Sequence, residues 1–285
     1  MGKAARRKAD KPPKIKPAPY VGRPFQGLPD EAQWVALREI VPSATSPVTV
    51  EVDGTSHDLT FATVLPMSWP AMKRDNGDIY IGVQSVVASG DVSRDLAEIV
   101  RAAVQLDDGQ PLEQAPKATA ESPRLQDLVT STSLDLTVHD GFDFWVEGQH
   151  LDEGGKASME RANEAVAPTV RMADVPSAYW VRIGERTYVR WILDVDENKA
   201  TDALARLHAA GESTLGDGRL LGAFRAYGLL VPVWEVPADT EAGDHDAAMK
   251  QLADRFTAAY ENDEPLTTEE RRARNGVVSR QITLR

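Results

Sequence analysis

The stretch from Ala178 to Ala210 constrains the fold more than any other part of the chain. Two runs rich in Tyr, Trp, Val and Ile flank Gly184-Glu185, a pattern that suits two strands joined by a tight turn. The second run ends at Asp194, and Asp196 or Asn198 stands where a helix N-cap is needed. Ala200, Ala203, Leu204 and Leu207 then recur at helical spacing. A further apolar strand, LLVPVWEV, lies between Gly228 and Pro237. A chain with this unit must build sheet and pack helices on it.

The rest of the sequence extends that pattern. Residues 30–41 read as a helix with Asp30 and Gln33 as a capping box, and with Trp34, Leu37, Ile40 and Val41 on one face. A hairpin follows over 48–65, turning at Asp53-Gly54, with a spacing that suggests a loop longer than two residues. Pro66 to Gly77 reads as irregular and Asp75 to Asp78 as a turn. Ile79 to Val87 is an apolar strand, and Ser93 stands as the cap of a helix over 94–106. A second hairpin is expected over 133–147, turning at Asp140-Gly141. Helices are expected over 156–167 and 247–262, and Thr268-Glu269 can start a short one in the Arg-containing tail.

The predicted class is therefore α+β, with mixed or antiparallel sheets packed against helices. The divisions are a Pro-rich arm (1–28), two α+β halves (29–130 and 131–262) and a tail (263–285). The stretches starting at Ile79 and at Thr187 both read as strand, capped helix, then a Asp-Gly turn, which suggests two related halves. Tyr20, Val21, Phe25 and Leu28 are expected to lie across the body as an ordered segment.

Charge is the informative part of the composition. Residues 1–16 hold seven Lys/Arg and one Asp, a net of +6, so against a whole-chain −12 the other 269 residues carry −18. Lys3, Arg6, Arg7, Lys8, Lys11, Lys14 and Lys16 lie on a segment that Pro12, Pro13, Pro17 and Pro19 keep from being helical. Such an arm suits the phosphates of RNA, free or in the ribosome; the plainer reading is a solubilising tail.

Specific chemistry is not evident. The chain has no cysteine, which excludes disulfides, thiolate metal sites and a cysteine nucleophile. Gly154 to Ser158 resembles a phosphate loop, but His150 and Ala157 stand where Gly and Ser/Thr are needed. Asp194 and Asp196 offer oxygens for a hard cation, although a helix start explains the same residues. His139, Asp140, Asp143 and His150 form a second weak metal set. Trp180, Arg182, Arg190 and Trp191, with Arg186 beside them, suggest a basic aromatic surface for bases or for a protein partner. No cofactor is implied. Nothing fixes the oligomeric state.

No run approaches the ~18 apolar residues of a membrane span, and no apolar core follows the charged start as in a secretory signal. The expected setting is the cytoplasm, without membrane contact. The expected role is a non-enzymatic binding protein; the alternatives are a metal-dependent enzyme at Asp194/Asp196 and a partner-binding or self-associating module.

The opening GKAARRKADKPPKIKPAPYVGRPFQGLPDEAQWVALREIVPSAT and the ending RNGVVSRQITLR resemble an uncharacterised family of actinobacterial proteins, a domain of unknown function, over nearly the full length. The resemblance implies no catalytic residues. Labels such as translocase or topoisomerase carried by some relatives find no support in these residues.

Overall fold

A computed structural model of the chain describes residues 16–84, 89–147 and 152–279. It opens with α1 (Glu31–Val35), which continues as a π-helical turn, Ala36–Ile40. Strands β1 (Ala44–Val52), β2 (Thr55–Ala62), β3 (Ala71–Lys73) and β4 (Ile79–Gly82) follow, then α2 (Val92–Ala103), β5 (Pro111–Leu112) and β6 (Thr137–Val138). These six strands form one mixed sheet, in the order β5-β3-β4-β2-β1-β6. Its single parallel pair is β2 with β4.

The second half begins with α3 (Glu153–Glu164) and continues through β7 (Thr169–Arg171), β8 (Ala178–Ile183) and β9 (Arg186–Trp191) to α4 (Glu197–Ala209). Then come β10 (Arg219–Ala226), β11 (Leu229–Val236), α5 (Asp246–Glu261) and α6 (Thr268–Ser279). Here the sheet is wholly antiparallel, in the order β10-β11-β9-β8-β7. The protein is α+β, with two sheets packed with helices.

Side-chain alternation decides which face meets which layer. Val48, Val50, Leu59, Phe61, Ile79 and Ile81 line one face of the first sheet and pack on α1 and α2. The same core takes in Tyr179, Ile192, Leu229 and Val231 from the second sheet. The opposite face of that sheet carries Trp180, Val189, Trp191 and Trp234, which pack with Leu204 of α4 and Met249, Leu252 and Phe256 of α5. The second sheet is thus a middle layer, apolar on both sides, which explains the unbroken apolar run of β11.

Several local expectations need correction. The Asp53-Gly54 loop has only two residues, since Val52 pairs with Thr55. Both loop residues have positive φ, 50° and 78°, the primed turn whose twist matches the strands. The capping box at Asp30 does not form. Asp30 sits at φ 51° and its carboxylate accepts from the Leu134 N–H at 2.8 Å. Gln33 instead donates to the Pro176 carbonyl and accepts from the Tyr179 hydroxyl at 2.6 Å. Asp91 rather than Ser93 caps α2; the Ser93 hydroxyl donates to Gln126 and accepts from the Leu125 N–H.

The hairpin expected over 133–147 is absent. Thr137 pairs with β1, and Asp143–Trp145 is a 3₁₀ turn that lays Phe142, Phe144 and Trp145 against Tyr80 and Leu65 on the outer face of the first sheet. The strand from Ile79 ends at Gly82, while residues 85–88 lie outside the described part. The helix expected over 156–167 runs Glu153–Glu164 instead. The stretches at Ile79 and Thr187 both give a strand and an Asp-capped helix. Their pairings differ, because β4 has a parallel neighbour and β9 has two antiparallel ones.

Candidate nucleic-acid interface

Residues 16–28 form a strap running from the basic arm to α1, extended over 16–21 and turning over 22–28. Prolines remove its donors at positions 17, 19 and 24, so its carbonyls do most of the tying. The Lys16 carbonyl accepts from the Ala120 N–H at 3.1 Å, and the Val21 N–H donates to the Gly90 carbonyl at 2.9 Å. The Pro24 carbonyl accepts from Arg124 and from Gln126, both at 2.8 Å. Phe25 is fully buried, stacked on Trp34 at 6.1 Å and edge-on to Tyr227 at 5.6 Å. A Cβ on Gly90 would stand 2.8 Å from the Tyr20 Cα, so only glycine lets the strap lie this close.

Charge around the strap has a consistent arrangement. The Arg23 guanidinium bonds Glu31 through two nitrogens, at 2.6 and 2.9 Å, and reaches Asp194 at 2.7 Å. Glu31 is buried, whereas Arg23 remains partly exposed. The bond to Glu31 raises the Arg23 pKa further, against the cost of its partial burial. A fork-on-carboxylate pair of this kind fixes geometry as well as charge. Asp91 is likewise buried and forms ion pairs at 3.3 Å with Arg94 and Arg124, which stay partly exposed. Around the strap, then, two carboxylates are buried and a third, Asp194, is exposed, with three partly exposed arginines bonded to them, on a body whose net charge is −18.

Beneath the strap, Asp95 of α2 is 3% exposed. Burial raises its carboxyl above the ordinary range, with repulsion from Asp91 adding; bonds from Ser89 and the charge of Arg38 act the other way. One of its oxygens has no hydrogen-bond partner in the protein. The π-helical turn displaces carbonyls from regular bonding, and the Gln84 amide satisfies those of Leu37 and Val41 at 3.0 and 3.1 Å. Arg38 leaves the same turn and donates to the Tyr227 hydroxyl at 3.0 Å.

Residues 24–285 match the family of unknown function DUF5926. The chain belongs to DUF5926. No curated protein and no solved structure matches it. The DUF5926 region thus begins inside the strap, at Pro24, and takes in both sheets.

The sequence-selected residues of this DUF5926 chain fall in different places. Lys3, Arg6, Arg7, Lys8, Lys11 and Lys14 lie outside the described residues, and Lys16 is exposed at the foot of the strap. Trp180 and Trp191 are buried under the helices, so they offer no stacking surface. Arg182, Arg186 and Arg190 do not share a face. Arg182 pairs with Thr187 and Arg186 with Ile183, because the two-residue turn changes the phase of the alternation. Arg182 lies over the Trp180 ring and pairs with Glu241. Arg190 reaches the Ile40 carbonyl at 3.5 Å, and burial pulls its guanidinium down to about 10.

Asp194 and Asp196 have separate duties. Asp194 accepts from Arg23, and Asp196 caps α4 by accepting from the Lys199 N–H at 2.9 Å. His139 is held by Thr45 at 2.7 Å, and His150 lies outside the described part. Among the described residues no group of three or more His, Asp or Glu could hold a metal ion. No helix among them is long and apolar enough to cross a membrane. Sequence reasoning missed Asp91, Arg94 and Arg124 as a set, and the exposure of Tyr20. Gly90 was the available signal: a glycine just before a helix cap leaves room for a passing chain.

Proposed function

We propose that this chain is a cytoplasmic, non-enzymatic binding protein that holds RNA, free or ribosomal, with its basic arm. The observation that carries the reading is the arrangement at the root of the arm. There the chain is tied down by backbone hydrogen bonds, and the nearby acids Asp91 and Glu31 are buried behind Arg94, Arg124 and Arg23. A polyanion approaching this part of a strongly acidic protein therefore meets partly exposed arginines with two of their carboxylates buried, Asp194 beside Arg23 being the exposed one. Elsewhere the body repels it, which confines the contact to the arm and its foot.

The test is RNA and ribosome binding by the full chain and by a chain starting at Lys16, over a salt series. A chain starting at Lys16 keeps the carbonyl that ties the strap to Ala120. With about five phosphates engaged, log K should fall against log salt with a slope of about −3.5 to −4.5. Removing residues 1–15 should abolish binding and leave thermal unfolding unchanged. Equal, weak binding by both chains would reduce the arm to a solubilising tail.

A further inference from the structure

Tyr20 is the odd residue of the strap. The residue is 85% exposed, while Ala18, Phe25 and Leu28 of the same strap are buried. Its backbone is not free to turn the ring inward. The Val21 N–H is bonded to the Gly90 carbonyl, and the Tyr20 N and Cα lie against the Gly90 backbone, within 3 Å of where a Cβ there would be. A Cβ on Gly22 would lie at ordinary van der Waals distance, 3.8 Å, from the ring. An apolar ring is thus held in water by a fixed backbone, beside the root of a basic arm.

We infer that Tyr20 is a stacking platform for an unpaired nucleobase, and that the ligand of the arm is single-stranded rather than duplex RNA. This rests on the arm reading above and adds to it the class of nucleic acid. The geometry is that of single-strand binders, in which cations follow the backbone and an aromatic face takes a base. Tyr20 lies four residue steps beyond Lys16, a span of at most ~13–14 Å. A phosphate on Lys16 and a base on Tyr20 therefore belong to one short piece of strand. Arg23 and Arg124 near the strap are partly exposed but already bonded, to Glu31 and Asp194 and to Pro24 and Asp91, so they add positive charge to the surroundings rather than free donors. In a duplex the base faces are already stacked on one another, so a lone ring has nothing to take. A single aromatic contact of this kind reads no sequence, because every base has a π-face.

The experiment measures anisotropy of a short labelled RNA without internal pairing and of the duplex of the same sequence. The proteins are the full chain, its Tyr20→Ala and Tyr20→Phe variants, and the chain starting at Lys16. Tyr20→Ala should weaken single-strand binding about tenfold, the lower part of the range for loss of one stacked base, and leave the duplex within twofold. Its salt slope should equal that of the wild type, because no phosphate contact is lost. Tyr20→Phe should bind as the wild type, since stacking does not need the hydroxyl. Unchanged thermal unfolding of both variants shows that the fold is intact, as an exposed ring requires. Wild-type affinity of Tyr20→Ala for the single strand, or an equal loss on single strand and duplex, overturns the inference. So does a Tyr20→Phe that fails as Tyr20→Ala does. In each of these cases the arm reading stands as long as the chain starting at Lys16 has lost binding. If that chain binds as well as the full one, both readings fall.

Discussion

The two sheets make a useful contrast. The first has one buried face and one that is partly wet, and β1 shows it as alternation of buried positions with half-buried or exposed ones. The second is covered on both sides, and seven of the eight residues of β11 are buried. Both sheets contain hairpins with two-residue turns, but the first adds very short strands and a parallel crossover to its β1–β2 hairpin. A middle layer can take simple connections because packing from two sides specifies it. An outer sheet with one wet face needs extra devices, here the aromatic 3₁₀ turn and the loop that carries Gln126.

The contrast fails if the two sheets are independent folding units. Phe61 of the first sheet and Trp234 of the second are both fully buried. Phe61→Ala and Trp234→Ala should each lose about 3–5 kcal/mol. Because Tyr179 and Leu229 belong to the core of the first sheet, each should shift one cooperative urea transition, followed by both fluorescence and far-UV circular dichroism. Two separated transitions in either variant would break the picture of a shared core.

The helix caps sharpen the comparison further. Asp91 and Asp196 do the same local work, but Asp91 is buried and ion-paired with two arginines whereas Asp196 is exposed. Asp196→Ala should cost about 1 kcal/mol, as for an ordinary cap. Asp91→Ala should cost about 2–3 kcal/mol, because Arg94 and Arg124 are left facing each other without their carboxylate. Equal losses in denaturant titrations would mean that the Asp91 ion pairs contribute nothing.

The smallest effect concerns Asp95. Its folded-state pKa is raised, so the protein binds that proton more tightly folded than unfolded. The associated stability is present below the ordinary carboxylate range and is lost as pH rises through the raised value. Asp95→Asn should therefore be more stable than the wild type at neutral pH, by about 1 kcal/mol, with the advantage shrinking as pH falls. Melting temperatures of both proteins from mildly acidic to neutral pH would check this. An Asn variant that is less stable at every pH would mean that the Ser89 bonds need the charge.

The second sheet was the more legible in the sequence, and the reason is local. Gly184-Glu185 and the β-branched runs around it fix a hairpin without help from distant residues. Strand β10 escaped notice because Gly222 and the register shift beside it interrupt its alternation. In the first half, β3 has three residues and takes its pairing from β4 and β5, which no local pattern reveals. The 133–147 stretch misled for the opposite reason. It has alternation and an Asp-Gly turn signal, yet its aromatics are worth more against Tyr80 and Leu65 than as a strand.

The site was legible in charge but not in geometry. That the arm is basic follows from counting. That Arg124 and Asp91 meet, 33 positions apart, depends on how the loop before β6 returns to the start of α2. Tyr20 fits an apolar series with Val21, Phe25 and Leu28, which is why it reads as a core residue. The bond from Val21 to Gly90 is what turns it outward.

The way the strap is fastened also determines how the protein bears load. A polymer held by the residues ahead of Lys16 would pull along the strap. That tension meets the Lys16–Ala120 and Val21–Gly90 hydrogen bonds and the arginine and glutamine clamp on Pro24 before it reaches Phe25 and the Arg23–Glu31 pair. The attachments are spaced along the chain, so they take the load in order from the arm inward. Only after they yield would strain enter α1 and the seam between the two sheets. A tug on the arm would thus be taken first by these surface attachments, ahead of the core.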